Sequence, residues 1–492
     1  MFIRHSIFLL IKYSIKMKFQ SLRLFSVLAV LLFFVNANAQ KDISNTVVDF
    51  TTQMPIESAS VYIENTTIGT VTNTDGKFLL SVPDEHISDT LVISSIGYKS
   101  FRTPIDNFDE TFSIYLEEDV ASLDEVLIVG STRPKTGNDI VLRALEKLER
   151  NLPQQAYLQK GFLRHKERNK KEYKWLIESA ITLYDSSYAA GAEEFLKINV
   201  DENRKSYDLR DVDSLFSYYT YLKNTRRIDL KSRQMRRDTI KTASLVNAIK
   251  WNDERINGLD NLFKGRLNLV RNSNNVGALF GKNVLDKHQF RLDTVLVDDG
   301  RKIYKIEIDK GTDFAGLNTP GIFNEGFAPK GWIYIYWDNY AIKKVEYELI
   351  AASDVQKKRS KSLFGTTLNH KLILTYKEFE DKMYASYMYY ETPKLVNVGD
   401  RSSDRLYKES DKLKEEEEEQ FYYTTQEVLF TEIILEPTEV KKELTSLSWD
   451  EDIFSPRVYN KDFWKNYNVL LESKEEEKLI MDLSSRASLF KQ

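Results

Sequence analysis

The sequence predicts a mainly β protein with some helix: an N-terminal β-sandwich followed by a broad, curved antiparallel sheet decorated with helices. Three observations predict it. Between residues 47 and 116 the apolar pattern has a period close to two and is broken by turn residues. From residue 290 to 435 longer alternating runs recur at meander spacing. The composition is aromatic, with 27 Tyr and 27 Phe, and sparse in the residues of disordered chains, with 19 Gly and 10 Pro in 492. The expected divisions are residues 1–39, 40–130, 131–445 and 446–492, the last a helical tail.

Residues 1–39 contain no acidic side chain. Lys16, Lys18 and Arg23 precede an apolar run over 24–35, and Ala37-Asn38-Ala39 supplies small residues before Gln40. That is the three-part pattern of a secretory signal peptide, and the run is too short for the roughly 20 residues of a spanning helix. Met17 offers a second start for a signal of ordinary length. Without these residues the chain keeps 65 Lys and Arg against 74 Asp and Glu, a net charge of −9. Such a balance argues against a nucleic-acid binder. The chain has no cysteine. Disulfides, Cys–zinc sites, thiol nucleophiles and a lipoprotein anchor are therefore excluded. The expectation is an exported protein of the periplasm or outer-membrane face, not a lipoprotein.

In the first module, 60–63, 67–71, 77–82, 90–94 and 111–116 read as strands. Asn73-Thr74-Asp75-Gly76 reads as a hairpin turn, because Asp and Gly tolerate the positive φ it needs. Ala59, Val61, Gly69, Thr70, Thr72, Asp75, Gly76, Phe78, Ile96, Gly97 and Tyr98 stand in an order that resembles the carboxypeptidase-regulatory-like domain of exported Bacteroidetes proteins. The resemblance implies a seven-stranded transthyretin-like sandwich and no peptidase activity. Residues 123–130 also resemble the segment that joins this module to the plug of TonB-dependent receptors. The remaining chain is too short for a 22-stranded barrel, so 126–129 reads instead as the last strand of the sandwich.

Farther on, Ile140, Val141, Ala144, Leu145 and Leu148 fall on one helical face, with Asn138-Asp139 able to cap its start and Pro153 beyond its end. Strands follow at 160–165 and 173–184, then at about 290, 302–308, 331–337, 341–349, 368–376, 384–390 and 428–435. In 332–337, Trp332, Tyr334 and Tyr336 take one face and Ile333, Ile335 and Trp337 the other, so the strand is buried on both sides or lines a cavity. Residues 331–346 are similar to the sheet of periplasmic lipoprotein carriers, a half-barrel around an acyl chain. The segments 151–164 and 463–468 resemble markers of uncharacterised Bacteroidetes proteins that join the regulatory-like module to such a sheet. Gly311, Gly316, Gly321, Gly326 and Gly331 suggest a loop over the sheet or a lid on a ligand.

No complete catalytic constellation stands out. The five histidines lack the H-E-x-x-H spacing, and neither a G-x-S-x-G elbow nor a phosphate loop occurs. His165 and His370 sit in strand patterns and read as structural. No metal and no cofactor are expected. Arg226, Arg233 and Arg237 can share a helical face in a stretch, 223–241, of net charge +6. A solvated helix is the plain reading, and contact with anionic head groups the functional one. The leading expectation is a non-catalytic binding protein that holds a lipid, glycan or envelope partner on Trp332, Tyr334 and Tyr336. The alternatives are a hydrolase with a carboxylate-based site on the sheet, or a structural accessory of an outer-membrane assembly.

Overall fold

The structure is a computed structural model. It describes residues 40–119, 133–168, 173–191, 195–207, 258–316, 325–364, 369–394, 422–454, 457–465, 467–471 and 473, with scattered positions between 218 and 251 and residue 367. The signal-like stretch 1–39, the strand expected at 126–129 and the acidic run 415–419 lie outside these residues.

The first module has seven strands: β1 (Gln40–Asp49), β2 (Ser60–Ile63), β3 (Gly69–Val71), β4 (Lys77–Pro83), β5 (Thr90–Ser94), β6 (Phe101–Pro104) and β7 (Ile114–Leu116). They form two sheets, β4-β1-β7 and β3-β2-β5-β6. Alternate residues of both point inward, so Ile43, Val47, Val61, Ile63, Phe78, Leu80, Leu91 and Ile93 build a core of their own. Each such side chain contributes about 1.5–3 kcal/mol relative to exposure. The hairpin expected at residues 73–76 is corrected: β3 and β4 belong to different sheets. Residues 73–76 make the corner between the two. Asn73 Oδ1 accepts from the backbone N–H groups of Asp75 and Lys77, at 3.0 and 2.9 Å. Gly76, at φ +72°, has no room for a side chain: a Cβ would lie 2.4 Å from the Val47 carbonyl oxygen.

The larger sheet has eleven strands: β8 (Tyr157–Arg168), β9 (Tyr173–Asp185), β10 (Leu196–Tyr207), β11 (His288–Asp298), β12 (Arg301–Lys310), β13 (Ala315–Gly316), β14 (Glu325–Tyr336), β15 (Ile342–Ala351), β16 (Asn369–Phe379), β17 (Lys382–Lys394) and β18 (Tyr422–Ile434). The order is β10-β9-β8-β18-β17-β16-β15-β14-β12-β11, with β13 paired to β14. The paired neighbours are antiparallel. The outer strands β10 and β11 do not meet, so the sheet is open. The sequence had marked every strand of this sheet except β10 and the two-residue β13. Strand β10 carries a weak sequence signal, because its apolar Leu196, Ile198 and Val200 give way to charged residues from Asp201 onward.

One face of the sheet carries the main core. Ile333, Ile335, Val345, Leu372, Leu374, Met388 and Val428 meet the helix Gly137–Glu146 and the segment 259–284 there. The helix is capped by Thr136, whose Oγ1 accepts from the Asp139 N–H at 3.1 Å. Asn138, expected to cap it, instead accepts the Phe290 N–H of edge strand β11 at 2.8 Å. The loop expected over 311–331 is also corrected. Gly326 and Gly331 lie inside β14, at φ +98° and +136°. A Cβ on Gly331 would stand 1.9 Å from the Glu346 carbonyl oxygen. Close strand approach, not loop freedom, explains these glycines; residues 317–324 lie outside the description.

Candidate ligand clefts between module and sheet

Strand β14 sorts its residues as the alternation predicts. Ile333 and Ile335 take one face of the strand and Trp332, Tyr334 and Tyr336 the other; the buried cluster that holds the isoleucines also takes in Tyr334 and Tyr336, with Trp332 packed against it. Cross-strand pairing sets the neighbours. Tyr334 sits between Lys305 and Lys344, and Trp332 between Glu307 and Glu346. This face is a weave of rings, ammonium groups and carboxylates.

The module docks on that face. Val71 packs with Phe162, Tyr387 and Leu429 of the sheet. The Gly97 N–H donates to the Val297 carbonyl at 2.7 Å, and Arg102 Nη2 reaches Asp299 Oδ2 at 2.7 Å. The Lys377 ammonium donates to the Thr66 carbonyl at 2.8 Å. The joint is not closed. Three cavities run along it, of about 590, 380 and 290 Å³. Trp332 lines the first, Tyr334 the second and Tyr336 the third. The first two share Glu57, Ser58 and Lys344.

The three rings differ in what holds them. Trp332 is half-buried, with the Lys305 ammonium 4.0 Å from its ring centre. Tyr334 and Tyr336 are buried, 8% and 5% exposed. The Tyr336 hydroxyl donates to Asp298, and Arg301 stacks 3.9 Å over its ring. Burial, then the Asp298 charge, raises the Tyr336 phenol well above its ordinary range; burial, then Glu346, does the same for Tyr334. Both therefore stay neutral. Of the five carboxylates that line the first cavity, the two that flank Trp332 are ion-paired, Glu346 to Lys344 at 2.7 Å and Glu307 to Arg291; Glu57, Asp309 and Glu348 line it as well. Lys330 and Lys371 face the same space.

Sequence reasoning named the rings and missed the lysines and glutamates beside them. The alternation of 342–348 carried their signal, but strand register did not show which ring each would flank. Of the basic residues expected to act together, Arg226 ends the π-helical turn Leu222–Arg226 and is exposed. Arg233 and Arg237 lie outside the described residues. The histidines have packing roles. His288 Nδ1 donates to the Val284 carbonyl at 2.9 Å while Nε2 accepts from the Tyr347 hydroxyl at 2.7 Å. His370 meets the Thr392 hydroxyl at 2.8 Å.

A two-sheet module of seven strands docked on an open eleven-stranded sheet defines the architecture, and a family model matches the module. Residues 43–128 match the family model of the CarboxypepD_reg-like domain, so this part of the chain is a domain of that kind. Over 107 residues the chain is 33% identical to the TonB-dependent receptor SusC of Bacteroides thetaiotaomicron. That stretch is 22% of this chain and 10% of the receptor, so the chain spans about a tenth of that curated relative. No solved structure matches.

Proposed function

We propose that this chain is an exported, non-catalytic binding protein of the bacterial envelope that holds a polyhydroxylated ligand, a glycan, in the outer cleft between module and sheet. The observation that carries this reading is the lining of the cavity at Trp332: an indole ring within a wall of alternating ammonium and carboxylate groups. Sugar hydroxyls both donate and accept, and their C–H faces stack on aromatic rings; a mixed-sign wall around a ring answers both needs. An acyl chain would need an apolar bore. The apolar face of this sheet is instead packed with its own side chains. Ion pairing of Glu307 and Glu346, the two carboxylates that flank Trp332, favours holding over proton transfer at the ring. The leader-like residues 1–39 and a 107-residue stretch similar to a TonB-dependent receptor support an envelope, outer-membrane-associated setting.

Calorimetric titration of the full chain with neutral oligosaccharides tests it. Binding is expected, with Trp332→Ala weakening it by about 2- to 10-fold, the worth of one stacked ring. No heat with any oligosaccharide at millimolar concentration, or unchanged affinity in the variant, removes the reading.

The basic stretch is a second, independent contact in this proposal. Exposed Arg226, with Arg233 and Arg237, would meet anionic head groups. Liposome flotation with and without anionic lipid, against the triple Arg→Ala variant, decides it.

A further inference from the structure

The innermost cavity, about 290 Å³, holds an amine in an unusual setting. Two lysines reach it from the sheet, Lys343 on β15 and Lys377 on β16. Lys343 has a counter-charge: its Nζ lies 3.7 Å from Asp298 Oδ2. Lys377 is held differently. Its Nζ donates to the neutral Thr66 carbonyl and lies 4.5 Å from the centre of the Tyr62 ring. The acids of the cavity are engaged elsewhere. Asp298 takes the Tyr336 hydroxyl, Asp299 pairs with Arg102, and Glu378 with Arg301. No carboxylate among the described residues stands within ion-pair distance of Lys377. The amine is on a half-buried side chain, lacks a counter-ion within ion-pair distance among the described residues, and has the Lys343 cation for a neighbour. Burial first, and then Lys343, push it down to about 7.

We propose that Lys377 is a reactive amine that forms an imine with a small aldehyde entering this cavity. The Nζ lone pair attacks the carbonyl carbon, and the carbonyl π electrons move to oxygen. A proton passes from nitrogen to that oxygen, giving a carbinolamine. The hydroxyl takes up a proton and leaves as water as the nitrogen lone pair closes the C=N bond, and the remaining N–H proton is released to solvent, so that no net proton is consumed. Nothing is oxidised or reduced, and hydrolysis returns both partners. A lysine next to a second cation and away from solvent is the setting in which this chemistry proceeds near neutral pH. The cavity supplies room beside the amine, and Ser60, Ser94 and Ser386 on its wall offer hydroxyls to a polar carbonyl compound. The inference goes beyond the glycan reading and stands whether or not an oligosaccharide binds the outer cleft.

The test is reductive trapping on the full, unaltered chain with glyceraldehyde and cyanoborohydride, followed by peptide mass mapping. At pH 7, Lys377 is expected to be modified at least about tenfold faster than the exposed, ion-paired Lys99, because a far larger fraction of its amine is unprotonated. Its rate should rise with pH to a midpoint near 7. In Lys343→Met, loss of the neighbouring cation should move that midpoint upward. The other charged or titratable groups of the cavity, Tyr62, Asp298, Asp299, Arg301, Tyr336 and Glu378, remain in place in that variant. Modification of Lys377 no faster than of Lys99 would overturn the proposal and leave the amine as a tie between module and sheet.

Discussion

His288 is buried and His370 half-buried, and desolvation pushes each down to about 4, so both stay neutral near pH 7. In the unfolded chain both would take a proton near pH 6.5. Their depressed values leave stability intact above 6.5 and erode it as pH falls from there towards 4. The thermal midpoint should therefore drop between pH 6.5 and 5, before most carboxylates titrate, and His370→Gln should flatten part of that fall. Lys377 has its own window. Its folded value of about 7 lies below the 10.5 of an ordinary lysine, so its contribution is fully present above pH 10.5 and lost as pH falls towards 7. Replacing it with Met should remove that slope, measurable by urea denaturation at pH 7 and 9.5. Gly331→Ala would force a side chain into the Glu346 carbonyl at a φ that only glycine adopts readily. A loss of at least about 1–3 kcal/mol in denaturant unfolding is expected.

At the scale of elements, the helix Gly137–Glu146 depends on Thr136, and Thr136→Ala should cost about 1 kcal/mol in the same measurement. The sequence pointed to Asn138-Asp139 because capping residues crowd together there; only the tertiary pairing of Asn138 with Phe290 separates them. Strand β14 was legible because its alternation is strong on both faces. Strand β10 was not, because it buys its place with charges: Arg204 and Arg164 converge on buried Glu178 at 2.6 and 2.8 Å. A run such as 201–205 looks solvated until its partners are known. For the cleft, the rings were readable and their surroundings were not. Periodicity tells which side chains share a face, and is silent on what lies across it.

At the scale of the molecule, β18 is the seam. It bonds to β17 on one side and to β8 on the other, pairing Val428 with both Met388 and Leu163. Deleting residues 422–434 should cost β8, β9 and β10 their attachment to the rest of the sheet. Hydrogen exchange is expected to show those strands losing protection while the module, with its separate core, keeps its own. Refolding of the intact chain should be slow, because the closure of β8 on β18 joins residues far apart in sequence.

That seam also sets a timetable. In a polypeptide threaded N-terminus first through a narrow channel, β8 emerges more than 250 residues ahead of the strand that completes it. The first module can fold at the exit, but the two blocks of the large sheet, β8 to β10 and β11 to β17, cannot be joined until Tyr422–Ile434 arrives. A fold whose keystone comes late stays pliable for as long as passage requires it.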